Sequence, residues 1–143
     1  MKKEVKLDIK DLMVGDWVIV LDSYDGPCKI ETLGEVDVDT DGLDEVEYDR
    51  LRPIPITPEI LEKNGFEEMP KDKFGRREYC YAEFLTDIET IDVSLTENKS
   101  NPKYNWTINI SNPAVFSGRG FINYVHELQH ALRLCGVDKE IEL

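Results

Sequence analysis

The chain has 143 residues, enough for one domain or two small units sharing an interface, and its 41% hydrophobic, 33% charged composition is that of an ordinary globular protein. Its 30 acidic and 17 basic side chains leave a net charge of −13, which argues against a nucleic-acid backbone or an anionic membrane as partner because like charges repel. No apolar run could span a bilayer or form a signal-peptide core, and Cys28, Cys80 and Cys135 lack any C-x-x-C pairing, which fits free thiols in a reducing cytoplasm.

Up to the stretch Arg52-Pro53-Ile54-Pro55-Ile56-Thr57-Pro58, every signal is strand or turn. Gly15-Asp16 feeds the β-rich run Trp17 to Leu21, Asp25-Gly26 turns the chain, and Lys29 to Val38 reads as one further strand. Asp41-Gly42 makes another turn before a strand from Val46 to Leu51. Short strands at this spacing predict a small SH3-like β-barrel over residues 1–56, an architecture that binds or braces more often than it catalyses. Within it, Asp37-Val38-Asp39-Thr40-Asp41-Gly42 matches the opening of a calcium loop. The match then fails, because Asp44 stands where a hydrophobic residue belongs and Tyr48 where a bidentate Glu is required. The segment therefore reads as an acidic hairpin tip.

A second, α+β unit is expected over residues 57–143. Thr57 caps a short helix over 58–64, Pro58 takes its first position, Glu59 complements the dipole and Gly65 closes it. Lys71, Lys73, Arg76 and Arg77 form the one basic cluster, a candidate phosphate grip that reads more simply as a solvated loop. Arg77 to Leu85, the alternation of Ile91, Val93 and Leu95, and that of Tyr104, Trp106, Ile108 and Ile110 give three strands wet on one face. They form an antiparallel meander whose dry face is covered by a helix from about Asn123 to Cys135. Ser117-Gly118-Arg119-Gly120 lacks the P-loop Lys and reads as a flexible connection, and the tail from Val137 is expected to add an edge strand.

The one motif that carries chemistry is His126-Glu127-Leu128-Gln129-His130, H-E-x-x-H. On a helix, residues four apart share a face, so two imidazoles can converge on zinc while Glu127 serves as general base. A catalytic zinc needs a third protein ligand, and the chain holds no other histidine. A tail doubling back after Gly136 would offer Asp138 or Glu140. Arg133 lies on the same helix face, where a guanidinium beside a dication is unfavourable. The competing reading makes Val125, Leu128, Leu132 and Cys135 the core stripe and Asn123, His126, His130 and Arg133 the opposite polar stripe, with the histidines solvated or partly packed. On that reading there is no catalytic residue, no metal ligand and no cofactor.

The blocks Ile54-Pro55-Ile56-Thr57-Pro58-Glu59-Ile60-Leu61-Glu62-Lys63-Asn64-Gly65-Phe66 and Tyr124 to Gly136 resemble a group of small proteins of gut bacteroidetes, often carried on prophage or other mobile DNA. The resemblance covers under a quarter of the chain. It implies a bacterial cytoplasmic setting and a two-part α+β fold, and it brings no activity, cofactor or catalytic residue; relatives that read H-Q-L-Q imply that the helix exists without the base. Two functions from different classes follow. One is a non-catalytic accessory protein with an unknown protein partner, binding neither nucleic acid nor membrane. The other is a minimal zinc metallopeptidase with His126, His130 and Asp138 or Glu140 as ligands and Glu127 as base. An acidic mimic of DNA is a third, weaker idea.

Overall fold

Local turn chemistry, more than strand length, organises the N-terminal part of the chain. The computed structural model describes residues 7, 9–23, 26–84, 86–98, 105–114 and 117–143. These form an α+β protein with two antiparallel five-stranded sheets and two α-helices. The chain divides into two compact units, one made of Met1–Pro55 with Tyr124–His126, the other of Ile56–Asn123 with Glu127–Leu143.

In the first unit, β1 (Trp17–Val20), β2 (Pro27–Leu33), β3 (Asp37–Thr40), β4 (Val46–Glu47) and β5 (Leu51–Arg52) pair in the order β4-β3-β2-β1-β5. Alternation puts Val18, Val20, Ile30, Val38, Val46 and Leu51 into one buried cluster, each at most 2% exposed. Removing a side chain of that size from water stabilises by roughly 1.5–3 kcal/mol. Acidic residues in and beside the turns cap backbone groups. Asp16 accepts the Met13 N–H at 2.7 Å, Asp41 that of Lys29 at 2.9 Å, and Asp39 that of Glu45 at 2.8 Å. The last of these holds Glu45 at a φ of 53°, a left-handed conformation that a residue with a Cβ rarely adopts.

Three expectations for this unit are corrected. The run Lys29 to Val38 is two strands, because a Cβ at Gly34 would lie 2.9 Å from the Asp37 carbonyl oxygen and only glycine allows the tight turn there. Val46 to Leu51 is broken by a 3₁₀ turn at Tyr48–Arg50. The sheet does not close into a barrel, since β4 and β5 are its two edges and do not pair with each other. The calcium-like segment is a hairpin tip, with Asp39 and Asp41 turned onto backbone N–H groups. Gly26 takes the φ of 71° expected of its turn, while Asp25 lies outside the described residues.

The second unit begins with α1 (Pro58–Lys63). Thr57 accepts the Ile60 N–H at 3.3 Å as N-cap, and Gly65 closes the helix at a φ of 86°, as its punctuation predicts. Then β6 (Glu67–Met69), β7 (Glu78–Phe84), β8 (Thr90–Glu97), β9 (Trp106–Ser111) and β10 (Ser117–Ile122) follow in sequence order, each paired with the next. Tyr79, Ile91, Val93, Leu95, Ile108 and Ile110 fill the dry face and are all buried. The basic cluster folds back on itself. Asp72 accepts N–H groups from Phe74 and Arg76 and pairs with the Arg76 guanidinium at 2.7 Å, so Arg76 serves a turn, while Arg77 pairs with Glu97. The Arg76 N–H holds the Asp72 carboxyl below the usual range.

Helix α2 (Val125–Leu134) and the tail complete the unit. Ser117 to Gly120, expected as a flexible connection, is instead half of β10, in continuous register with β9 from Ser117–Ser111 to Ile122–Trp106. The tail is not an edge strand. It runs back without a ladder and is held by two buried amides. Gln129 donates to the Lys139 carbonyl at 2.8 Å and accepts the Ile141 N–H at 2.7 Å. Asn64 donates to the Glu142 carbonyl and accepts its N–H, both at 2.7 Å. Each amide matches one donor and one acceptor of the backbone, which is what a neighbouring strand would have supplied.

Candidate functional site

Helix α2 carries the H-E-x-x-H residues, and its own end chemistry decides what they can do. Asn123, just before the helix, accepts the Asn105 N–H with its side chain at 2.6 Å. The Asn123 N–H in turn donates to the Glu127 carboxylate at 3.0 Å. Glu127 thus satisfies a backbone donor that the helix start would otherwise leave orphaned, as the acidic member of a capping box does. A carboxylate used in this way is held away from the proton-abstracting role that the peptidase reading gives it.

The polar stripe is half-buried at Asn123, His130 and Arg133, and deeper at its one fully buried member. His126 is buried, 4% exposed, its ring stacked on Tyr124 with centroids 6.0 Å apart and planes 8° from parallel. Gln129 is buried beside the apolar stripe, and His130 is half-buried. The helix is therefore enclosed over more of its surface than a single core stripe requires, which the tail and the hydrogen bonds of Gln129 make affordable.

The two candidate third ligands lie elsewhere. Glu140 pairs with Arg133 at 3.3 Å, so the guanidinium is neutralised by the tail. Asp138 is exposed. Besides Arg133, the residue on α2 that grips the tail is Gln129, one position short of His130. Among the described residues, no three His, Cys, Asp or Glu side chains gather at a spacing that could hold a metal ion. The tail does double back along the helix after Gly136, where Gln129 and Arg133 hold it.

A different site stands on the wet face of the second sheet. A groove of about 930 Å³ runs across it. Strand register explains its floor. Cys80 on β7, Ser94 on β8, Asn109 on β9 and Arg119 on β10 are direct cross-strand partners and line it as one row. Ala82, Asp92, Ser111 and Ser117 form the adjacent row by the same pairing. Side chains two apart on a strand share a face, so this polar floor is the obligate complement of the buried dry face. Met69 and Phe84 supply apolar walls, and Phe84 is 84% exposed.

Two titratable groups of the groove are held in their neutral forms. Burial, aided by the hydrogen-bonded Glu78, pushes the Cys80 thiol up to about 11, so it stays protonated at neutral pH. Burial also raises Tyr81, with help from Glu83, to about 12. No histidine lies among the described lining residues to activate a hydroxyl. Amide, hydroxyl and guanidinium groups and the carboxylates of Glu67 and Asp92 remain, which can hold a ligand by hydrogen bonds and ion pairs.

The polar residues of this floor were visible in the sequence as the off-beat members of the strands. Arg119 was not, because its glycine neighbours concealed the strand. No protein-family model, no curated protein and no solved structure matches the chain.

Proposed function

We propose that the chain is a non-catalytic interaction protein that holds a partner protein on the open face of its second sheet. The observation that carries this reading is the groove, a floor of hydrogen-bonding groups that includes the charged Asp92 and Arg119, lined also by half-buried Met69 and the exposed ring of Phe84. The competing zinc peptidase is weakened by the commitments of its own residues, Glu127 to the helix start and Glu140 to Arg133. The first unit would brace or bind as a small SH3-like module. Its order β4-β3-β2-β1-β5, with a 3₁₀ turn between β4 and β5, supports that description.

The setting we propose is the bacterial cytoplasm, on a chain carried by prophage or mobile DNA of gut bacteroidetes. Three cysteines without a disulfide support it, and no helix among the described residues is long and apolar enough to cross a membrane. Neither a nucleic acid nor an anionic bilayer is the partner we expect of a chain at −13.

The test places a photo-crosslinking amino acid at Asn109 in the groove and, separately, at exposed Glu31 of the first unit, in a bacteroidete host. One discrete protein adduct from position 109, absent from position 31, is the expected result. Adducts indistinguishable between the two positions would end the reading. Metal analysis of untagged protein covers the alternative: one tightly held zinc per chain, with peptide cleavage abolished in Glu127→Gln, would replace this proposal by the peptidase.

A further inference from the structure

The wet face of the second sheet is not level. Direct cross-strand pairing puts Ala82, Asp92, Ser111 and Ser117 in one row that crosses from β7 to β10 at right angles to the strands. Apart from Asp92 these side chains are a methyl or a hydroxymethyl. The row on one side of it ends in the longer Glu67 and Arg119, and the exposed ring of Phe84 stands on the other side. The low row is the trench of the groove, and all the groove's lining residues are among those described. An occupant that fills it runs across the strands, not along them.

Charge along the trench is sorted by sign. Exposed Glu67 on β6 and exposed Asp92 on β8 lie toward one end, and exposed Arg119 on β10 lies at the other. Asp92 accepts the Thr90 hydroxyl at 3.2 Å. Phe84, two residues from the Asp92 partner Ala82, is its diagonal neighbour, close enough for both to meet one cation. A carboxylate beside an exposed aromatic face receives an ammonium or guanidinium group. Arg119 is the converse. Its direct partner is Asn109, and Ser117 faces the same way two residues earlier, so a guanidinium, an amide and a hydroxyl offer their donors to a carboxylate. Arg76, Arg77 and Arg133 already pair with carboxylates of the chain, and Arg50 and Arg52 donate to backbone carbonyls. Two strand intervals of about 4.8 Å and one two-residue rise of about 6.7 Å separate Asp92 from Arg119 by roughly 12 Å. Residues four apart in an extended chain lie on one face about 13 Å apart, which matches that span.

We propose that the trench holds an extended segment of the partner protein laid across the strands, with a lysine or arginine on Asp92 and Phe84 and, four residues away, a glutamate or aspartate on Arg119. This rests on the reading of the wet face as the partner surface. A chain at −13 attracts cations in general and repels carboxylates in general, so the acid of the segment, held at Arg119, fixes its register.

The test is an amide NMR titration of the full chain with a capped heptapeptide of threonine and glycine that carries one lysine and, four residues on, one glutamate. Two counterparts replace either charge by glutamine. The parent peptide is expected to shift the amides of Ala82, Asp92, Ser111, Ser117 and Arg119, and to bind about three- to tenfold more tightly than either counterpart. Asp92→Asn should erase the preference for lysine and keep that for glutamate, and Arg119→Gln should do the reverse; both are exposed changes that leave the fold intact. Absence of binding, equal binding of the three peptides, preferences that survive both variants, or shifts confined to residues outside the trench would overturn the proposal. So would free lysine and free glutamate binding as tightly as the peptide, because no segment would then be needed, and so would self-association of the parent chain that covers the trench. Crosslinking at Asn109 with failure here rejects only the two-charge segment; failure at Asn109 rejects the surface itself.

Discussion

The two sheets have the same strand number and opposite uses for their polar residues. In the first unit acids at a hairpin are spent on backbone N–H groups: half-buried Asp39 near the end of β3 on Glu45, exposed Asp41 on Lys29. In the second, the polar side chains of the wet face, Ser94, Asn109, Ser111 and Ser117, cap no turn and leave a groove floor. A polar residue that closes a turn is structural whatever its exposure; one that alternates with a buried neighbour on a long strand is only required not to be buried. The second kind is available for binding, and that difference locates function in this molecule better than the one recognisable motif does.

The largest expected effect sharpens the other side of the second sheet. Leu132 is fully buried on α2, and Leu132→Ala should cost about 2–5 kcal/mol in denaturant unfolding. Loss below 1 kcal/mol would mean that α2 is not part of the core on which the wet face depends. Next comes Gln129→Ala, which strands the Lys139 carbonyl and the Ile141 N–H. Leaving both groups short of partners should cost about 2–3 kcal/mol and release the tail to hydrogen exchange. An unchanged exchange rate at Ile141 would show that the tail is held by Asn64 and side-chain packing alone.

The comparison itself is broken or kept by four exposed or half-buried polar positions. Asp39→Ala and Asp41→Ala should each cost about 1 kcal/mol, as lost caps do. Ser94→Ala and Asn109→Ala should stay within about 0.5 kcal/mol, as surface changes without a structural partner do. If Ser94 and Asn109 prove as costly as the aspartates, the groove floor is a structural network and not a binding surface.

Much of this arrangement was legible in the sequence, and the failures have physical causes. The caps of α1 were readable because Thr57, Pro58 and Gly65 act locally. The wet and dry faces of β8 and β9 were readable because period two is set by backbone geometry. β10 was not, since glycine has no strand propensity of its own and the pairing with β9 overrides it. Barrel closure was not, because it depends on whether β4 and β5 meet, and no local signal encodes that. The depth of His126 was not legible, since a periodic stripe says which face a residue is on and not how deeply it is covered; nor was the burial of Gln129, whose amide is satisfied by the returning backbone. The H-E-x-x-H spacing was legible as a pattern and silent about occupation, since Glu127 can cap a helix start with the same geometry that would aim it at zinc.

The smallest expected effect concerns the thiol in the groove. Cys80 is held up to about 11, from an ordinary value of 9.0, by burial first and Glu78 second. Because the folded value is the higher one, the protonated thiol is favoured by folding, and its contribution is fully present below pH 9 and lost as pH rises toward 11. A modest decline in stability across that alkaline window should vanish in Cys80→Ser. At pH 8 the thiolate fraction of Cys80 should be about a hundredfold below that of an unperturbed thiol, two units of pH at tenfold each. Its reaction with a disulfide reagent in the native protein should be slowed in proportion, and should accelerate when Glu78→Gln removes the second cause. Rapid labelling at pH 8 would show a thiolate stabilised within the wet face, and the groove would then hold a nucleophile that the contrast between the two sheets leaves no place for.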